Sequence, residues 1–153
     1  MAWPEPLSPT MTDISFHVHL PDKMRYACRL LRKAVSQGSR VCVVGEAPLL
    51  HQLDALLWTF SPLDFVPHCL ADASPQQLEA SAVVLGLPEE QERPVVVNLG
   101  RQAPAGFEKF QRLIELVGSD DEDMQAGRQR WKIYKQAGLE PVRHEAAQAP
   151  AAN

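Results

Sequence analysis

At 153 residues, 45% hydrophobic and 22% charged, the chain has the size and balance of one globular domain, which argues against fibrous and disordered classes. A formal net charge of −4 argues against duplex binding over a large surface, because phosphate contacts need a basic footprint; a small basic site stays open. No apolar run approaches the roughly 20 residues that span a bilayer, and the start, Met1-Ala2-Trp3-Pro4-Glu5-Pro6, lacks the basic and apolar stretches of a secretory signal.

Residues 1–11 hold three prolines and no periodicity, and are expected to be a flexible extension. Ile14 to Leu20 alternates apolar and polar residues, the period of a half-buried strand. Pro21-Asp22 opens a helix over Lys23–Gln37, whose stripe of Met24, Ala27, Cys28, Leu31 and Val35 closes at Gly38. Val41–Val44 is short and continuously apolar, suited to a strand covered on both faces. A second helix is expected from about Pro48 to Trp58, followed by a proline-punctuated loop over 59–77. Ala82–Leu85 and Val95–Leu99 read as two more buried strands. Over 107–117, Phe107, Phe110, Leu113, Ile114 and Val117 fit a helix, while Leu113–Val117 fits a strand. Ser119 can cap a last helix, acidic in its first turn at 120–123, basic from Arg128 to Lys135 and ended by Gly138, which complements the helix dipole. The stretch from Pro141 is rich in Ala, Gln and Pro and reads as disordered. Strand–helix alternation predicts a three-layer α/β domain around a largely parallel sheet. Cys28, Cys42 and Cys69 are three cysteines without CxxC spacing, read as free thiols in a reducing cytoplasm.

Such a sheet raises the question of nucleotide binding. The turn Gly45-Glu46-Ala47-Pro48 has one glycine and an acid where phosphate would sit, and matches neither phosphate-binding loop pattern. His17 and His19 would share a strand face, yet they provide only two metal ligands with no third group nearby. His68 and Cys69 are sequence neighbours, which point opposite ways on an extended chain. No catalytic residue, metal site or cofactor is expected.

Two constellations remain. Arg128, Lys132 and Lys135 lie along one side of the last helix with Trp131 beside them and Tyr134 one turn on, an arrangement suited to an acidic ligand with an aromatic or carboxy-terminal group. The alternative is a solvated basic face with Trp131 and Tyr134 turned into the core. Leu53-Asp54-Ala55-Leu56-Leu57-Trp58, then Phe65-Val66-Pro67-His68, sets aromatics around a helix end, as protein interfaces do; loop packing over a sheet edge is the competing reading.

These two segments, with Arg130-Trp131-x-x-Tyr134-Lys135-x-Ala137-Gly138, resemble the chi subunit of bacterial DNA polymerase III over about residues 12–140; residues 1–11 and 141–153 lie outside the resemblance. It implies a Rossmann-like fold without a nucleotide loop and a non-catalytic role in the clamp-loader assembly. It also implies two partners. The acidic, phenylalanine-ended tail of single-stranded-DNA-binding protein would meet Arg128, Trp131, Lys132 and, more loosely, Tyr134, Lys135 and Gly138. The psi subunit, or a helicase in its place, would meet Trp58, Phe65 and Pro67 with His68 adjacent. DNA would be contacted mainly through these partners, and no membrane is implied. Met124 stands where relatives can carry lysine, so the tail site would hold one cation fewer.

Overall fold

The computed structural model describes residues 12–59, 66–86 and 93–145. Apolar runs such as Val41-Cys42-Val43 and Val95-Val96-Val97 are buried on both faces, as parallel strands between helix layers must be. Among the described residues, seven strands result: β1 (Asp13–Leu20), β2 (Val41–Val44), β3 (His68–Leu70), β4 (Val83–Leu85), β5 (Val95–Asn98), β6 (Arg112–Gly118) and β7 (Val142–Glu145). They form one sheet in the order β3-β4-β2-β5-β6-β1-β7, and every pairing is parallel. The helices are α1 (Lys23–Ser36), α2 (Ala47–Thr59), α3 (Pro75–Ala80) and α4 (Asp121–Gln136).

Alternation along β6 sorts the two cores. Ile114 and Leu116 face the layer of α1 and α2 with Leu31, Leu53 and Leu57, while Leu113 and Val117 face α4 with Ile14, Phe16 and Tyr134. Asp22 caps α1 by accepting from Arg25 N–H at 3.1 Å, and Asp120 caps α4 by accepting from Asp123 N–H at 3.1 Å. α4 ends where Gly138 takes φ +88°, a left-handed conformation that lets Leu139 N–H reach Tyr134 O at 3.0 Å and Gly138 N–H reach Lys135 O at 3.0 Å.

Three expectations are revised and one open alternative is decided. The segment 59–77, expected as loop, contains β3 and the start of α3; a three-residue strand is too short to show a period, and α3 starts at Pro75 under the Ser74 cap. Of the two readings of 107–117, the strand at Leu113–Val117 is the one that forms, as β6, after a 3-10 turn at Phe107–Lys109. Val142–Glu145, expected in a disordered tail, pairs with β1 as a charged edge strand. His17 and His19 do not share a face, because β1 bulges between His17 and Leu20. The expected extension 1–11 and the rest of the tail, 146–153, lie outside the described residues.

Candidate functional site: a groove between α4 and the β1–β7 edge

α4 packs along the sheet face over β6 and β1, with Gly127 against Val117 and Tyr134 against Phe16 and Phe107, and residues 124, 128, 131 and 132 line one long side of the groove beside it. Gly127 allows the close approach: a Cβ there would stand 3.1 Å from Val117 Cγ2. The result is a groove of about 540 Å³, within the range of ligand-binding clefts. Phe16, Val18, Val117 and Met124 give it an apolar lining. Trp131 forms part of the wall, half-buried, its ring 5.2 Å from that of Phe16. Arg128 and Lys132 are exposed cations on the α4 side, and His19 and Arg143 stand on the opposite rim. A site of this build can hold an apolar side chain on its floor while cations at the lip receive carboxylates.

The other residues expected here sit elsewhere. Tyr134 is 0% exposed beneath α4, where its hydroxyl donates to Glu115. Lys135 points out of the groove, its Nζ 3.5 Å from Glu140. Gly138 terminates the helix rather than lining the cleft. The two readings of this helix are thus divided by residue: Arg128, Trp131 and Lys132 face the groove, and Tyr134 faces the core. Val18, on the first expected strand, and Val117, which fits either element, carry no charge or ring that would single them out as site residues, and Arg143 follows Pro141 in the Ala-, Gln- and Pro-rich stretch. Val142-Arg143-His144-Glu145 offers a single apolar residue after Pro141, too little for a strand period to show.

A buried polar cluster holds α4 in place. Glu115, 0% exposed, accepts from Arg130 Nε at 2.9 Å, Asn98 Nδ2 at 3.0 Å and the Tyr134 hydroxyl. Arg130 Nη1 also donates to Arg101 O at 3.0 Å. Burial pushes the Glu115 carboxyl above the usual range, while Arg130, Tyr134 and Asn98 oppose the rise. At the start of α4, burial acts to raise Asp123. Gly118 N–H at 2.6 Å, Lys23 at 3.0 Å and Arg101 at 3.2 Å outweigh it and hold the carboxyl below its ordinary value. Lys23 also donates to Leu99 O at 2.8 Å. The crevice at the carboxyl ends of β5 and β6, where many open α/β sheets bind ligands, is therefore occupied by side chains paired with one another. Among the described residues, no three His, Cys, Asp or Glu are grouped to hold a metal ion.

The second constellation lies around the end of α2. Trp58 is 59% exposed and its ring stands 4.9 Å from that of His68. His68 is buried, with Nδ1 2.7 Å from Val66 O and Nε2 3.1 Å from the Asp54 carboxylate. Asp54 and His68 thus tie the helix to the start of β3. His68 supports Trp58 from below instead of presenting itself to solvent. Pro67 is half-buried beside it, and Phe65 lies outside the described residues.

Residues 11–142 match the family model described as DNA polymerase III chi subunit, HolC. The chain is 33% identical over 135 residues to the DNA polymerase III subunit chi of Pseudomonas aeruginosa, covering 84% of this chain and 92% of the relative. It is 31% identical over 117 residues to that of Haemophilus influenzae, covering 73% and 79%. It is 26% identical over 116 residues to that of Escherichia coli, covering 73% and 78%. Among solved structures, the C-terminal domain of the DEAD-box protein Dbp5 superposes with a TM-score of 0.59 at 14% identity, covering 91% of this chain and 92% of that one. Saccharomyces cerevisiae Dbp5 bound to RNA and ADP BeF3 gives 0.62 at 16% identity, covering 90% and 42%. Those two likenesses bear on the fold alone; the extent of the family match and the identity to the three bacterial subunits establish that the chain belongs to the DNA polymerase III chi subunit family.

Proposed function

We propose that this chain is a non-catalytic adaptor of the DNA polymerase III holoenzyme that links the clamp-loader assembly to single-stranded-DNA-binding protein by receiving its acidic, phenylalanine-ended tail. The observation that carries this reading is the groove itself: an apolar floor of Phe16, Val18 and Val117 under the exposed cations Arg128 and Lys132. A terminal phenyl ring gains by leaving water for that floor, and its carboxylate gains charge-assisted hydrogen bonds at the lip. A nucleic-acid ligand is disfavoured, because the cations are few and the chain carries a net charge of −4.

Titrating an acidic peptide ending in phenylalanine into the full chain tests this. Arg128→Ala and Lys132→Ala should each weaken binding by about 1.5–3 kcal/mol, roughly tenfold to a hundredfold, and raised salt should weaken it further. Lys135→Ala, outside the groove, should leave it unchanged. Unaltered affinity in folded Arg128→Ala and Lys132→Ala variants would remove the groove from consideration.

The exposed Trp58 supports a second, separate interface for the psi subunit, with Pro67 beside it and Phe65 assigned there from the family resemblance. A helicase taking the place of psi would use the same surface.

A further inference from the structure

The β1–β7 rim of the groove is built by a local backbone irregularity. Ile14, Phe16 and Val18 alternate onto the α4 face, which would bring Leu20 there as well. Instead, three steps of β1 from His17 to Leu20 oppose two of β6 from Leu116 to Gly118. His19 absorbs the extra residue at φ +58°, a conformation uncommon for a residue with a Cβ. Leu20 then drops into the core beneath α1, and His19 turns toward the groove. Strand β7 follows the same alternation: Arg143 pairs in register with Phe16 and Glu145 with Val18, so both belong to the groove face. His144, opposite His17, goes to the other face, where the two rings meet at 5.4 Å. On the groove side, the Glu145 carboxylate lies 2.5 Å from His19 Nδ1 and is also paired with the Arg143 guanidinium.

We propose that Arg143 is a specificity-determining residue of the groove, binding a side-chain carboxylate of an acidic peptide upstream of its terminal residue, with Glu145 as a built-in competitor for that position. The proposal rests on the acidic-peptide reading given above. Three observations carry it. The α4 wall, with Met124 one turn before Arg128, is left with Arg128 and Lys132 as its cations. Arg143 supplies a third from an independent element across the cleft. Its guanidinium already engages a carboxylate, that of Glu145, so the geometry accepts the group the ligand would bring. The Arg143 side chain is 54% exposed, so exchanging one carboxylate for another costs little.

The test is a titration of the full chain with two peptides, one rich in aspartate and ending in phenylalanine, the other with every aspartate replaced by asparagine. Arg143→Ala should weaken the acidic peptide by about tenfold and leave the asparagine peptide unchanged. Arg143→Lys should fall between, keeping charge without the fork. Glu145→Gln should tighten the acidic peptide by about twofold to fivefold, the opposite sign from Arg143→Ala. If Arg128→Ala loses binding while Arg143→Ala and Glu145→Gln stay within about twofold of the parent, the rim has no part and only this proposal falls. An equal loss for both peptides in Arg143→Ala also overturns it. If Arg128→Ala is silent too, the groove is not the peptide site, and the functional reading falls first.

Discussion

Replacing Arg130 by alanine should destabilise the domain strongly although no ligand touches the residue. Its side chain is 1% exposed and supplies two donors, Nε to Glu115 at 2.9 Å and Nη1 to Arg101 O at 3.0 Å. Removing it leaves the Glu115 carboxylate fully buried with only Asn98 and Tyr134 as partners. Breaking one side of a buried pair costs about 3–5 kcal/mol, and a domain of this size loses roughly 2–4 °C per kcal/mol. The melting temperature should therefore fall on the order of 10 °C. Replacing both charges, as in Arg130→Met with Glu115→Gln, should recover most of the loss, since the uncompensated charge is gone. Thermal and urea unfolding of Arg130→Ala, and of Arg130→Met, Glu115→Gln and their double variant, followed by circular dichroism, give the loss and the coupling of the pair. A melting temperature for Arg130→Ala within about 2 °C of the parent would refute the reasoning, as would a double variant less stable than Arg130→Ala. The same experiment bears on function, because Arg130 adjoins Trp131 and its ion pair fixes the seating of the helix that presents Arg128 and Lys132.

Two further outcomes are expected. Burial, with His144 nearby, lowers the His17 pKa from 6.5 to about 4, so as pH falls through that window the unfolded chain takes a proton before the folded one does. Stability present above pH 6.5 should then be lost by about 3 kcal/mol on approaching pH 4, and His17→Gln should flatten that slope in urea titrations at stepped pH; an unchanged slope would refute the assignment. Trp58→Ala should change stability by no more than about 0.5 kcal/mol while weakening psi binding by about 2–4 kcal/mol, read by co-purification and calorimetry. A collapse in melting temperature would instead mean that the contact with His68 is a folding contact.

Fold class was legible in the chain because it depends on local periodicity. Val41–Val44 and Val95–Asn98 are short apolar runs that only a sheet covered on both faces can bury, and α1 announces itself by its stripe and by the Asp22 and Gly38 caps. Helical spacing sets Arg128, Lys132 and Lys135 along one side of α4 with Trp131 beside them, but of these only Arg128, Trp131 and Lys132 line the groove, while Lys135 turns to Glu140. What periodicity could not reveal were features made by residues far apart in sequence. Tyr134 follows Trp131 by less than one turn, yet Glu115, nineteen positions earlier, draws it under the helix. The charged segment Val142–Glu145 carries no apolar signal, and becomes a strand only because β1 offers it an unpaired edge. The bulge at His19 belongs to the mismatch between β1 and β6, and neither strand encodes it alone. Local sequence therefore determined most of the elements, though not β3, α3 or β7, and which side of α4 is basic. Tertiary packing decided which residues stand across from it, because a groove has two walls and only one of them lies on a single element.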